Sequence, residues 1–225
     1  MTMIQNPLFG LFITIFAYCI GISINKKFKR TIYNPLAIAI ILIIIFLKVF
    51  NISYEDYSRG GDIITLFLGP ATAALALSVY RQRRLLKKHF LAIFVGTGVG
   101  SLTSVGSIAI MGKLLNIDAP TLSSLLPKSV TTPIAIAISA SIGGIPAVTV
   151  AAVIITGLLG SLFAPLLIKI FNIKHPVAQG VGIGACSHAL GTSKAIELGE
   201  DIGAMSGISI AFSGLFTVIF ALAFY

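Results

Sequence analysis

The stretch Leu126 to Pro146, LPKSVTTPIAIAISASIGGIP, sets one lysine among three serines, two threonines, three prolines and a glycine pair. Lys128 with Ser129, Thr131 and Thr132 is a donor set suited to an anion. An ammonium carries three N–H donors, and the hydroxyls add more. Thr132 reads as a helix N-cap with Pro133 at the first helical position, where a missing N–H costs nothing. Such a helix start offers free N–H groups and a partial positive charge, both of which attract anions. The flanking residues are apolar, and a lysine at membrane depth costs several kcal/mol unless it is paired or hydrated. Two readings of Lys128 follow: it snorkels to an interface, or it is a fixed charge that holds a substrate anion.

Two other stretches share this design. In CSHALGTSKAIELGE (Cys186 to Glu200), Gly191 and Thr192 precede a helical run that Thr192 or Ser193 can cap. In LFLGPATAALALS (Leu66 to Ser78), Gly69 and Pro70 fit the cap and first-turn slots, followed by Ala71 and Thr72. Each stretch starts with a short apolar turn, breaks at Gly or Pro among small hydroxyl residues, and resumes as a helix. Gly69, Pro70, Thr72, Gly191 and Thr192 therefore join Lys128, Ser129, Thr131, Thr132 and Pro133 as candidate substrate-binding positions. His188 is either a hydrogen-bonded packing residue or a proton-carrying site, since imidazole titrates near neutral pH. Lys194 and Glu197, three apart on one helix face, form an ion pair.

The elements that must carry these residues are membrane helices. The chain has 225 residues, of which 56% are hydrophobic and 10% charged, against roughly 25% charged in soluble domains. Pro7 to Ile24, Phe90 to Met111, Ala147 to Leu167 and Gly203 to Tyr225 carry no charge, and about 20 apolar residues span a bilayer core. The expected fold is all-α and polytopic, with roughly seven or eight membrane segments, two or three of them discontinuous. Nine of the sixteen basic residues fall in 26–30 and 81–88, beside apolar runs. This is the pattern of cytoplasmic flanks and not of nucleic-acid binding. With both clusters cytoplasmic, Asn34 to Asn51 crosses outward and Asp62 to Tyr80 returns. The acidic ISYEDYSRGGD between them becomes an exterior loop. The segments LGPATAALAL and LGTSKAIELG align without a gap, which suggests a single membrane domain, 1–225, with repeats at about 1–115 and 120–225.

Catalytic signatures are missing from the sequence: it has no Gly-x-Ser-x-Gly, His-Glu-x-x-His, P-loop or paired-carboxylate pocket. Neither an enzyme nor a cofactor or metal is expected. GTGVGS (Gly96 to Ser101) lies inside an apolar run with no preceding strand. There, as at Gly180, Gly182 and Gly184, small residues allow close helix packing. Cys19 and Cys186 read as small packing residues, and Gly143-Gly144-Ile145-Pro146 as a tight turn.

YEDYSRGGDIITLFLGPATAALALSVYRQ, LPKSVTTPIA, IGGIPA and SHALGTSKA, in this order from about Asn34 to the C-terminus, resemble the LrgB/CidB family of bacterial membrane proteins. Ser78 departs from the family's pattern, which has a proline there. The resemblance implies one of two functions. One is an antiholin- or holin-like regulator of murein hydrolase activity and autolysis, acting with a small LrgA/CidA-type membrane partner. The other is a carrier of small monocarboxylates such as pyruvate, glycolate or glycerate, like a plant plastid relative that resembles a fused LrgA–LrgB protein. The residues favour the second: Lys128 and its hydroxyls for the carboxylate, opposing N–H groups from 69–72 and 191–192, and His188 for proton coupling. The expected setting is the inner (plasma) membrane, with the lipid bilayer and a homo-oligomer as further partners.

Overall fold

The computed structural model describes residues 3–28 and 33–224, so Lys29 and Arg30 of the first basic cluster lie outside the described residues. The described chain is all helix and divides into two compact units, Met1–Ala74 and Leu75–Tyr225. Four helices are long and apolar enough to cross a membrane among the described residues: Pro7–Phe28, Phe90–Leu114, Pro146–Ile170 and Glu200–Phe224. Ile155, Leu159, Phe163, Leu166 and Ile170 along one of them are exposed. An apolar exterior of that kind belongs in lipid, and the chain is a multi-pass helical membrane protein.

In the first unit, α1 (Pro7–Phe28) packs on α2 (Pro35–Val49) through Ile13, Ala17, Ala39 and Ile43. The Asn34 side chain caps α2 by accepting from the Leu36 and Ala37 N–H groups, with Pro35 at the first position. The acidic stretch expected as an exterior loop is instead a helix, α3 (Tyr54–Thr65). Local chemistry accounts for the correction: Ser53 Oγ accepts from the Asp56 N–H, and Glu55 and Asp56 place negative charge on the first turn. Gly60 on α3 then meets Gly10 on α1, and the Thr14 and Tyr57 hydroxyls pair at 2.8 Å. The next helix, α4 (Leu68–Arg81), starts one residue before Gly69, so Gly69 and Pro70 lie inside its first turn. Its 14 residues reach about 21 Å, short of a bilayer core of about 30 Å.

The second unit is built on three long helices. α5 (Arg83–Lys88) is a short helix that carries most of the second basic cluster and leads into α6 (Phe90–Leu114). α9 (Pro146–Ile170) and α11 (Glu200–Phe224) complete the frame. α6 and α11 run parallel: Ile93 packs with Met205 and Ile208, Ser101 meets Ser213, and Gly98 faces Phe216. α9 runs the other way. Two shorter pieces fill the frame, and each turns back on itself. α7 (Ala119–Leu125) descends beside the end of α6, with Leu122 against Gly112. The chain turns at 126–131, and α8 (Thr132–Ser141) climbs back until Ile145 N–H reaches Ser124 Oγ at 2.6 Å. Gly143, at φ 71°, makes the exit turn into α9.

α10 (Pro176–Leu198) forms the second reversal. Its backbone leaves helical geometry at His188, with φ 41° and ψ −139°. The arm 176–187 runs along α11, Gly180 beside Ile202 and Met205, and Gly184 beside Ser206 and Ser209. The arm 189–198 returns antiparallel, Thr192 on Ser206 and Ile196 on Gly203. The two hairpins therefore enter the frame from opposite ends. Helices in lipid gain little from hydrophobic association, so small residues and hydroxyl bonds hold such packing, each bond worth about 0.6 kcal/mol.

The α1–α3 contact is testable. A Cβ on Gly60 would lie 2.6 Å from the Gly10 Cα and carbonyl carbon, whereas one on Gly61 would meet nothing within 4 Å. Gly60→Ala should cost about 1–3 kcal/mol, read as a lower melting temperature in detergent, and Gly61→Ala should leave it nearly unchanged.

Candidate functional site

The first hairpin tip is a tight turn: Lys128 N–H donates to Leu125 O and Val130 N–H to Pro127 O. Pro127, Val130 and Ser129 are buried, and Val130 packs on Ala135 and Val153. Leu126 joins Val105, Ala109, Ile138, Ile142 and Ala221. The cap of α8 is Thr131, one residue before the expected Thr132, so Thr132 and Pro133 occupy its first two positions. Thr131 has the extended backbone of a cap, but its side chain makes no capping bond. The first-turn N–H groups of α8 are thus left to other partners.

Lys128 is half-buried. Its Nζ donates weakly to Ser104 Oγ at 3.4 Å and Ser129 Oγ at 3.5 Å, while those two hydroxyls pair closely at 2.6 Å. The salt bridges among the described residues are Arg59–Asp56 and Lys194–Glu197, so no described carboxylate neutralises Lys128. Ser104 sits near the middle of α6, about half its length of roughly 37 Å from either end.

The second tip arrives at the same depth from the other side. His188 is buried, and its Nε2 lies 3.0 Å from Val153 O, the residue on which Val130 of the first tip packs. With Nε2 as the donor, the bond fixes the proton on that nitrogen. Gly157 and Gly160 on α9 form the seat. A Cβ on Gly157 would lie 2.5 Å from His188 Cε1, and one on Gly160 would run into Ser187 Oγ. Val130 of the first tip and His188 of the second thus both meet Val153.

Gly191 is buried against Ser187 and Ile183 in the returning arm. Thr192 is not a cap: its hydroxyl donates to His188 O at 2.9 Å and pairs with Ser206 at 2.7 Å. Ser193 likewise bonds back to Ala189 O. The helix resumes immediately after His188, so both residues are already inside it. Lys194 and Glu197 pair at 2.7 Å. Gly69 and Pro70 belong to the other unit, where they are exposed, and the Thr72 side chain lies outside the described residues. Cys19 and Cys186 are exposed and not packing residues. No group of three or more His, Cys, Asp or Glu that could hold a metal occurs among the described residues.

Ser104, Val153, Gly157 and Gly160 were not singled out by sequence reasoning. The one available signal was the spacing of Gly157 and Gly160, which puts two gaps on one face of α9.

A family model described as "LrgB-like family" matches residues 14–225. An antiholin-like protein LrgB of Bacillus mycoides (strain KBAB4) is 41% identical over 216 residues, covering 96% of this chain and 94% of the relative. The antiholin-like protein LrgB of Bacillus cereus (strain B4264) matches with the same identity and coverage. No solved structure matches the chain.

The seating of the first tip against α6 can be trapped. In a chain carrying Cys19→Ala and Cys186→Ala, the pair Ser104→Cys and Ser129→Cys should oxidise to an internal disulfide that blocks alkylation of both thiols. Two thiols that stay alkylatable after oxidation would place the tip elsewhere.

Proposed function

The chain belongs to the LrgB-like family, and we propose that its Leu75–Tyr225 unit works as a secondary carrier of small monocarboxylates. One observation carries this reading: two hairpins that enter from opposite ends have tips converging on Val153, and one tip holds a lysine with no carboxylate partner among the described residues. In a bilayer such arms are too short to cross, so each is a discontinuous segment re-entering from one side. Counted with α1, α2 and α4, they bring the membrane segments to roughly seven or eight. Irregular backbone at membrane depth is tolerated where it lines a cavity or is buried in protein. Carriers built from paired, oppositely directed segments bind their substrates there.

Lys128, Ser129, Thr131 and the N-terminus of α8 hold the carboxylate, with pyruvate, glycolate or glycerate as the substrate class. Thr132 and Pro133 form that N-terminus. Gly191 and Thr192 shape the facing arm. His188 is a proton site. Its Nε2 is engaged with Val153 O, which leaves Nδ1 to take up a proton. Movement of the hairpins against the long helices exposes the site to each side in turn. The protein sits in the inner (plasma) membrane as a single membrane domain with internal repeats, and self-associates. Lys26, Lys27 and the helix after Arg81 mark cytoplasmic flanks.

The name of the relatives, antiholin-like protein LrgB, speaks more directly for a second reading. On that reading the chain is antiholin-like and controls murein hydrolase activity and autolysis together with an LrgA/CidA-type partner. The two readings separate at Lys128. In proteoliposomes, labelled pyruvate or glycolate uptake should fall at least tenfold in Lys128→Ala. If wild-type vesicles show no flux above empty ones, the carrier reading is wrong. If autolysis control in cells persists in Lys128→Ala but vanishes without the partner, the regulator reading takes its place.

A further inference from the structure

Close to the two tips, α6, α10 and α11 share a small cluster of oxygen atoms. Ser101 Oγ lies 3.1 Å from Ser213 Oγ and 3.3 Å from Ser213 O, and Ser213 Oγ lies 3.3 Å from Ala185 O. All are buried. Each separation is longer than the 2.7–2.8 Å usual for O–H···O bonds, and two hydroxyl hydrogens serve four oxygens. One turn further along α11, on the same buried face, Thr217 is 1% exposed and its Oγ1 has no hydrogen-bond partner. Buried threonines in helices usually turn their hydroxyl back to a carbonyl, as Thr97 does to Ile93 O at 2.6 Å. An unpaired buried hydroxyl costs about 1–3 kcal/mol.

Ala185 adds a second source of negative potential. It stands three residues before His188, where the helix stops. The last carbonyls of a helix lack intrahelical donors and carry a partial negative charge.

We propose that Ser101, Ala185, Ser213 and Thr217 form a binding site for a monovalent metal cation, sodium by size, and that this cation is a coupling ion beside the proton at His188. The coupling role rests on the carrier reading; the binding site does not. Hydroxyl and carbonyl oxygens are hard ligands, which select a hard cation. The absence of a carboxylate from this set disfavours a divalent ion, which relies on charged ligands. At a metal–oxygen distance of about 2.4 Å, neighbouring ligands of an octahedral shell lie about 3.4 Å apart, close to the separations here. A larger alkali ion would need a wider set.

Lys128 supplies the coupling. Ser104, which accepts from Lys128 Nζ, stands three residues from Ser101 on α6. Two positive charges in a low-dielectric interior repel each other. A carboxylate on Lys128 cancels that repulsion, so cation and carboxylate each strengthen the other's binding, as linkage requires.

The test uses the purified full chain in detergent and in proteoliposomes. Equal concentrations of NaCl, KCl and choline chloride should separate, with only NaCl raising the melting temperature, and pyruvate should sharpen the response. Thr217→Val and Ser213→Ala should each raise the half-effective sodium concentration at least tenfold, while Ser107→Ala should not. A sodium gradient should drive pyruvate uptake in wild-type vesicles. Equal stabilisation by all three salts, or a sodium response untouched in both variants, overturns the site. Uptake that runs equally in choline overturns the coupling role and leaves the carrier standing. No uptake in any salt overturns the carrier and the coupling role together, while a sodium response lost in the variants still supports the site.

Discussion

The second unit depends on the fit of Ser187 and His188 over Gly157 and Gly160. Lipid offers no water to a backbone that leaves its helix, so a reversal at this depth must be buried in protein or hydrated. The two glycines let the chain turn against α9, and Val153 O accepts from the imidazole N–H, which would otherwise be unpaired. His188 adopts a positive φ that non-glycine residues rarely hold. Such strain, of order 1–3 kcal/mol, persists only where the surroundings over-determine it. Here the ring bond, the glycine seat and the antiparallel return of 189–198 along α11 do so together.

From that seat follows a separation of electrical sign between the tips. The first tip presents the start of α8 and the Lys128 ammonium, both positive. The arm 176–187 presents helix-terminal carbonyls, which are negative. Ser104 and Ser101, three residues apart on α6, stand on the boundary between them, one serving Lys128 and the other Ser213. Opposite potentials held apart in a low-dielectric interior suit a pair of opposite ions better than either alone.

Much of this was legible in the sequence, for reasons that differ by residue. The apolar runs that became α1, α6, α9 and α11 announce themselves by length and lack of charge. The proline and hydroxyl pattern at LPKSVTTP marks a helix start to within one residue. Cap chemistry was less readable. Thr131 and Thr132 are both competent caps, and only the turn at Lys128 to Val130 decides between them. Thr192 and Ser193 look like caps in sequence because the true break, His188, is not a residue type that usually stops a helix. The acidic ISYEDYSRGGD reads as a loop from its charges. A capping serine, first-turn acids and the Gly10–Gly60 contact make it a helix, and that contact joins residues far apart in the chain.

The direction of each hairpin was beyond sequence altogether, because a break looks the same whether the chain crosses or turns back. Geometry distinguishes them: Ile145 returns to Ser124, and Ile196 returns to Gly203 beside the start of α11. Each hairpin is followed by one long helix, and these two helices run in opposite directions, so 119–170 and 176–224 form a pair of inverted orientation. A pair of that kind has a mechanical consequence for the proposed carrier. If the two halves exchange their slightly different conformations, the side on which the tips are exposed is reversed while the site itself is preserved. Alternating access then needs no new contact, only the existing hairpins adopting each other's posture against α6, α9 and α11.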